Sequence, residues 1–210
     1  MGEAASILRM SAADYLSWER GQPSKHEFHL GEVFAMAGGS PRHNGLSAAA
    51  IVELYSALRG KPCRVLSSHQ RLSAKEGERY VYADAVVVCG GMKTEPGTTD
   101  VLANPSVVVE VLSRSTQAYD RGDKWEAYQG LASLTDYLLL AQASVRIEHY
   151  RRESDGSWRY RVIEAGGTVV LDDYGHWSGC RKAFDEFAAA RGIKVVLTPI
   201  DYTSHYFLKP

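Results

Sequence analysis

Residues 106–112, SVVVEVL, form a nearly continuous apolar run directly after Pro105. Such a valine-rich run is typical of a strand that is buried on both faces, as in a parallel sheet. A helix predicted at about residues 117–131 and a strand predicted at residues 137–141 follow it. The passage from this helix to this strand indicates a crossover connection, so the stretch places the chain in the α/β class.

Two further strands and a long helix are predicted upstream of this run. The strands are expected at residues 63–72 and 79–89. The helix begins at Pro41, because Ser40 is a favourable N-cap and proline is favoured at the first helical position, and it ends near Arg59. The predicted core, at about residues 38–142, therefore has the order helix, three strands, helix, strand.

Shorter elements surround this core on both sides. Ser11 begins a short helix, and Gly31 separates two short runs of strand-forming residues, which predicts an N-terminal hairpin. The predicted segments are the helix at residues 12–20, the hairpin at 26–37, a pair of hairpins over 145–171 with turns at Asp155–Gly156 and Gly166–Gly167, and a helix at 180–191. We expect one domain over residues 1–210, and the fold after about residue 170 stays open.

The composition excludes several classes of protein. Hydrophobic residues make up 45% of the 210 residues and charged residues 23%, which excludes a disordered, collagenous or coiled-coil chain. The net charge of -1 excludes a strongly basic nucleic-acid coat, although it does not exclude a local basic patch. No apolar run approaches the ~20 residues of a transmembrane helix. We therefore expect a cytoplasmic protein with no membrane partner.

The three cysteines point to a reducing compartment. Cys63, Cys89 and Cys180 are odd in number, far apart in the sequence, and contain no CxxC pair. A disulfide framework or a cysteine zinc site is accordingly not expected.

Two carboxylates interrupt otherwise apolar strands. Asp84 stands within VYADAVVVC, and Glu110 stands within SVVVEVL. A buried carboxylate costs several kcal/mol unless it is paired or bound to a metal ion. For either residue alone, backbone amides or an arginine at a strand end would explain it. For both together, on consecutive strands, we favour a metal site.

Three further residues are weaker candidates. Lys124 shares a helix face with Tyr128, and its helix follows the strand of Glu110, so it is placed to point at the same site. On its own Lys124 would be a solvated helix lysine. Glu32, just after Gly31, is also consistent with a turn carboxylate. His43, in the first turn of the Pro41 helix, is somewhat better explained as an exposed residue at a helix start than as a catalytic one.

Taken together, several segments of the chain resemble one known family. KHEFHLGEVFAMAGGSPRHNGL, CRVLSSHQRL, YVYADAVVVCG, NPSVVVEVLSRST and AYDRGDKWEAYQGLASLTDYLLL, within residues 11–165, are similar to the Uma-two-type restriction endonucleases of the PD-(D/E)XK nuclease superfamily. Asp84 matches the acid of the PD element and Glu110 the acid of the (D/E)XK element. Ala83 replaces the proline, and Leu112 stands at the lysine position, which the resemblance moves to Lys124 on the next helix.

The resemblance implies a mixed α/β, restriction-endonuclease-like fold and an Mg²⁺-dependent endodeoxyribonuclease, with Mn²⁺ as the alternative ion. Asp84, Glu110 and the Val111 carbonyl would hold the ion, and Glu32 would complete the shell. Lys124 would position the attacking water or stabilise the charge of the transition state. DNA is the expected partner, and a homodimer suits the cutting of two strands. The alternatives are an inactive nucleic-acid-binding or assembly protein of the same fold and a hydrolase of small phosphoesters, which would need a deep pocket.

Overall fold

The computed structural model describes residues 6–164, 168–171 and 173–208. The chain forms two compact units. The N-terminal unit comprises Met1–Ala143 with Ile147–Val162, and the C-terminal unit comprises Ser144–Arg146 with Ile163–Pro210. They separate because the last strands pair with one another to form a sheet of their own.

Capping residues explain where the first two helices begin. The Ser11 and Ser40 side chains accept hydrogen bonds from the backbone N–H groups of Asp14 and His43, and Pro41 occupies the start of the second helix. The predicted helix over residues 117–131 is two helices, since Gly122 adopts φ -103° and ψ -102° and interrupts it. The helices of the described residues are α1 (Ala12–Glu19), α2 (Pro41–Ala57), α3 (Gln117–Arg121), α4 (Asp123–Gln129) and α5 (Ser178–Ala190).

The strands of the described residues form three sheets. They are β1 (Ser6–Arg9), β2 (His26–His29), β3 (Glu32–Ala35), β4 (Cys63–Ser67), β5 (Arg71–Lys75), β6 (Arg79–Tyr82), β7 (Ala85–Cys89), β8 (Val101–Leu102), β9 (Val107–Leu112), β10 (Asp136–Ala141), β11 (Arg146–Arg152), β12 (Trp158–Glu164), β13 (Thr168–Leu171), β14 (Thr198–Pro199) and β15 (His205–Leu208). The first sheet has the order β1-β3-β2-β6-β5-β8 and the second β12-β11-β10-β9-β7-β4. The third has the order β13-β15-β14.

The second sheet carries the predicted core. β9 and β10 are parallel, with Glu110 opposite Leu139, while β7 and β4 continue the sheet in antiparallel fashion. Val108, Val109 and Val111 are fully buried, as the valine-rich run predicts. The order α2, strands β4, β7 and β9, helices α3 and α4, then β10 confirms the mixed α/β core predicted from the sequence.

The chain passes from the first sheet to the second at Ala83–Asp84. The predicted strand over residues 79–89 is therefore two strands, β6 in the first sheet and β7 in the second. The predicted strand over residues 63–72 divides in the same way, into β4 and β5. Asp84 therefore lies between β6 and β7, where the chain passes from one sheet to the other, and not in the middle of a regular strand.

The N-terminal hairpin is confirmed, and the C-terminal prediction needs one correction. β2 and β3 pair through a turn at Leu30–Gly31, where both residues have positive φ, and β11 neighbours β12 as predicted. β13, however, pairs with β15 in the third sheet, where Leu171 lies opposite His205, and not with β12. The predicted turn at Gly166–Gly167 lies outside the described residues.

The prediction that the chain forms no disulfide is wrong. Cys63 and Cys89 lie opposite each other on the antiparallel strands β4 and β7 and form a disulfide. Cysteines 26 residues apart in the sequence meet here because strand pairing brings them together. As for the membrane, none of the helices in the described part of the chain has both the length and the apolar character of a bilayer span.

Candidate active site

Asp84 immediately precedes β7, and Glu110 lies in β9, the strand that pairs with β7. In the antiparallel register Ala85, the residue after Asp84, pairs with Val109, the residue before Glu110. The Val111 N–H also donates a hydrogen bond of 2.7 Å to Asp84 Oδ2. The sheet register therefore brings together the two acids that the sequence singled out.

Helix α2 supplies two polar contacts to Asp84. His43 Nε2 lies 2.7 Å from Asp84 Oδ1, and the Ser47 hydroxyl donates to the same oxygen at 3.0 Å. The two residues are four apart and so share one face of α2. The His43 side chain is 19% exposed. It is thus part of the site, where the sequence favoured an exposed residue at the helix start.

Lys124 is buried against Glu110. Its amine donates to Glu110 Oε1 at 3.1 Å and to the Tyr82 carbonyl at 3.0 Å. The Tyr128 hydroxyl, one turn further along α4, donates to the same Glu110 oxygen at 3.2 Å. Gly122 interrupts the helix just before Lys124, so Lys124 lies in the first turn of α4.

Glu27 is a residue of this site that the sequence reasoning missed. Its Oε1 lies 3.0 Å from the Lys124 amine, and the Tyr119 hydroxyl donates to its Oε2 at 2.9 Å. The Tyr82 N–H also donates to Oε1, at 3.2 Å. Glu27 lies between His26 and Phe28, so the rule of a carboxylate within an apolar strand does not select it.

Glu32 is not brought to the site by any contact of the described residues. It begins β3 just after the hairpin turn and forms an ion pair with Arg9 on β1. In the hairpin register Glu32 lies opposite His29 at the turn, whereas Glu27 lies opposite Phe34 at the other end. The structure thus pairs Glu32 with Arg9 and places Glu27 beside Lys124, and a role of Glu32 at the metal ion stays a prediction.

The chain also matches known proteins. Residues 12–177 match the model of the Uma2 family, described as "Putative restriction endonuclease". The chain belongs to the Uma2 family. Two uncharacterized proteins of Synechocystis sp. are similar to it, one 34% identical over 82% of this chain and 90% of that protein, the other 33% identical over 73% and 87%.

A solved structure with a similar fold accompanies the Uma2 match. It is the crystal structure of a "putative nuclease belonging to DUF820" from Anabaena variabilis, with a TM-score of 0.59 and 14% identity. The similarity covers 76% of this chain and 88% of that chain, and it confirms the restriction-endonuclease-like fold. The Uma2 match ends at residue 177, immediately before α5.

Negative charge outweighs positive charge around Lys124 in this Uma2 site. Glu27, Glu110 and Asp120 all have carboxylate oxygens within 3.9 Å of the single amine, and each of these side chains is less than 9% exposed. Burial raises the pKa of Glu110 well above its usual value, against the attraction of Lys124. Burial also raises the pKa of Asp120. For Lys124, burial works to lower the pKa, but Glu110 and the other anionic groups raise it well above its usual value.

The donor set fits a hard divalent cation by its chemistry. Asp84 and Glu110 offer carboxylate oxygens, and the surplus of buried carboxylates around Lys124 favours a further positive charge. Within residues 6–164, 168–171 and 173–208, no three histidine, cysteine, aspartate or glutamate side chains are grouped so as to hold a metal ion. Mg²⁺ is commonly held by only one or two carboxylates, with water and substrate phosphate as its other ligands, so two acids are sufficient.

Proposed function

We propose that this chain is a metal-dependent endonuclease that hydrolyses phosphodiester bonds in DNA. The observation that carries the proposal is the meeting of Asp84, Glu110 and Lys124 at one end of β7 and β9, with the amine 3.1 Å from Glu110 Oε1. The membership of the Uma2 family and the fold similarity to a structure described as a nuclease support the same activity.

In this proposal Mg²⁺, or Mn²⁺ in its place, is held by Asp84, Glu110 and the Val111 carbonyl. A bound divalent ion supplies Lewis-acid chemistry at a phosphoryl oxygen and makes a water molecule a better nucleophile. The protein has to keep the two carboxylates in place. The Val111 N–H, at 2.7 Å, fixes Asp84 against β9, and the Tyr128 hydroxyl, at 3.2 Å, restrains Glu110 on its other side.

Lys124 supplies the positive charge of the proposed site. Its amine holds Glu110 and the Tyr82 carbonyl in the structure, and in the reaction it would orient the attacking water or stabilise the charge that develops on the phosphoryl group. Glu27 acts through this lysine, since its carboxylate lies 3.0 Å from the amine and keeps the amine charged and oriented. Glu27 is thus a positioning residue in the proposal.

His43 and Ser47 act through Asp84. Both touch Asp84 Oδ1, while Oδ2 is held by β9, so the carboxylate is restrained from two sides. Gln142 in turn lies 3.4 Å from His43 Nδ1 and donates to the Leu112 carbonyl at 2.9 Å. This chain of contacts links the orientation of Asp84 to the end of β9. Groups that orient a metal ligand commonly change metal affinity or activity by about 10- to 100-fold when removed.

One observation favours a second candidate, a DNA-binding or assembly protein of the same fold without nuclease activity. The Lys124 side chain is only 5% exposed, and its amine is surrounded by Glu27, Glu110 and the Tyr82 carbonyl. A lysine held in this way compensates the buried carboxylates around it and needs no contact with a substrate. The two candidates differ in whether DNA is cut, not in whether it is bound.

Incubation with DNA tests the proposal. Purified protein is mixed with supercoiled and linear plasmid in Mg²⁺, in Mn²⁺ or in EDTA. The proposal expects nicked and linear products with either ion and none with EDTA. Binding without cleavage in all three conditions would support the second candidate.

We also propose that the protein acts as a homodimer, because two symmetric sites suit the two strands of a duplex. The molar mass in solution, measured by light scattering, tests this proposal.

A further inference from the structure

Lys25 is a second lysine beside the proposed site, and no role has been given to it so far. It immediately precedes β2 and lies two residues before Glu27, so the two side chains leave the same side of the strand. Its amine lies 5.4 Å from the centre of the Tyr82 ring. Tyr82 itself holds Lys124 through its carbonyl and Glu27 through its N–H, and Asp84 follows two residues later.

The contacts of the Lys25 amine are few and neutral. It donates to the Ser68 carbonyl at 2.8 Å and lies 3.4 Å from the Ser68 hydroxyl. Within the described part of the chain, Lys25 forms no ion pair with a carboxylate, in contrast to Lys124 with its three acidic neighbours. An ammonium group has three donors, so a further acceptor can be bound.

The surroundings of Lys25 leave its positive charge incompletely compensated. The side chain is half-buried. Burial lowers its pKa, the attraction of Asp84 and Glu27 partly opposes this, and the repulsion of Lys124 adds to it. Holding a partly desolvated ammonium without a counter-ion is unfavourable, and an anionic ligand at this position would offset that cost.

We propose that Lys25 binds a phosphate of the nucleic-acid backbone next to Asp84, as a substrate-binding residue. The inference rests on the proposed function, because it assigns the anion to the substrate of that site. A lysine ammonium is a compact point charge that suits a phosphodiester oxygen, and phosphate contacts supply much of the affinity of proteins for DNA. Lys124 is enclosed by carboxylates and already has its own role at the reacting group, so the contact to the backbone phosphate is assigned to Lys25.

A purely structural role has a different signature. The contact to the Ser68 carbonyl could simply hold the turn between β4 and β5, and then loss of Lys25 would change stability but not the response of binding to salt. Two variants separate the roles: Lys25→Met keeps the apolar stem and removes the charge, and Lys25→Arg keeps the charge. Lys75→Met, at an exposed lysine on β5, is the matched control.

The experiment measures binding of a fluorescein-labelled DNA duplex by anisotropy, in EDTA so that no metal-dependent cleavage occurs, over a series of salt concentrations. A phosphate contact changes the slope of log K against log salt by about 0.9. We expect Lys25→Met to reduce the magnitude of the slope by about this amount, and Lys25→Arg and Lys75→Met to keep the wild-type slope. With Mg²⁺ present, Lys25→Met should raise KM more than it lowers kcat.

The outcomes distinguish this inference from the proposed function. A wild-type protein that cleaves DNA, with the same salt slope in Lys25→Met, would overturn the Lys25 assignment alone. A reduced slope in Lys25→Met without cleavage by the wild type would support the phosphate contact and overturn the nuclease activity. A wild-type protein that neither binds nor cleaves DNA would overturn both.

Discussion

Lys124 and Glu110 form an ion pair in the interior of the N-terminal unit, with the amine 3.1 Å from Oε1 and both side chains at most 6% exposed. The two residues come from different elements, α4 and β9, and are 14 positions apart in the sequence. Asp84 joins them through the strand register, and Glu27 joins them from the first sheet. Two sheets and one helix therefore contribute to a single cluster of charge.

Glu27 and Glu32 provide a direct test of which hairpin carboxylate belongs to the site. Glu27→Gln should lower DNA cleavage about 10- to 100-fold, since the amide no longer holds Lys124 by charge. Glu32→Gln removes only a surface ion pair with Arg9, worth about 0–1 kcal/mol, and should leave cleavage near the wild-type rate. Initial rates of plasmid nicking measure both. The reverse ranking would restore Glu32 to the site and remove Glu27 from it.

Binding of a divalent ion should stabilise the folded protein. An ion that binds only the native state adds about 2.7 kcal/mol at a hundred times its dissociation constant, so Mg²⁺ should raise the Tm by several degrees. The increase should vanish in Asp84→Asn, which loses a proposed ligand. Asp123→Asn, at an exposed aspartate that begins α4, should keep it. Differential scanning fluorimetry with and without Mg²⁺ measures these shifts. Equal shifts in the wild type and in Asp84→Asn would place the ion elsewhere.

Removal of the Glu110 charge should separate stability from activity. Burial raises the pKa of Glu110 well above its usual value, so the charged form is unfavourable in the ion-free protein. Glu110→Gln keeps the size of the side chain, and Glu27 and Asp120 still lie beside the Lys124 amine, so the Tm in EDTA should be equal to or above that of the wild type. A large loss of Tm in EDTA would show that the ion pair with Lys124 mainly stabilises the fold.

The disulfide between Cys63 and Cys89 should contribute measurably to stability. Cross-linking residues 26 apart restricts the unfolded chain, and this is worth about 3 kcal/mol. Urea unfolding with and without dithiothreitol should show this loss in the wild type and in Cys180→Ser. The double variant Cys63→Ser, Cys89→Ser should start at the lower stability and not respond to the reductant. A wild type that is insensitive to the reductant would mean that the bond contributes little.

Much of this site follows from simple patterns in the sequence. A carboxylate inside an apolar strand is costly, and that rule identifies both Asp84 and Glu110. The burial of Lys124 depends on Glu27, Tyr82 and Glu110, which come from other elements, so its own helix pattern does not show it. Glu27 and the Cys63–Cys89 pair depend on contacts between segments far apart in the sequence, which composition and periodicity do not show.

Element boundaries were harder to predict than the elements themselves. Asp84 alone interrupts the apolar pattern within the strand predicted over residues 79–89, and the chain changes sheets at Ala83–Asp84. The helix predicted over residues 117–131 contains Gly122 in its interior, and a glycine there costs only about 1 kcal/mol. In both places tertiary packing decides where the element is interrupted, and a local sequence pattern does not show this.

Nicking of supercoiled plasmid in Mg²⁺ tests the central claim most directly. The assay compares the wild type with Glu110→Gln and Lys124→Ala, and uses Glu126→Gln, at an exposed glutamate on the same helix as Lys124, as the matched control. We predict that Glu110→Gln and Lys124→Ala lose cleavage by orders of magnitude, while Glu126→Gln retains the wild-type rate. Equal cleavage by all four proteins, or no cleavage by the wild type with either Mg²⁺ or Mn²⁺, would contradict the assignment of Asp84, Glu110 and Lys124 as a nuclease site.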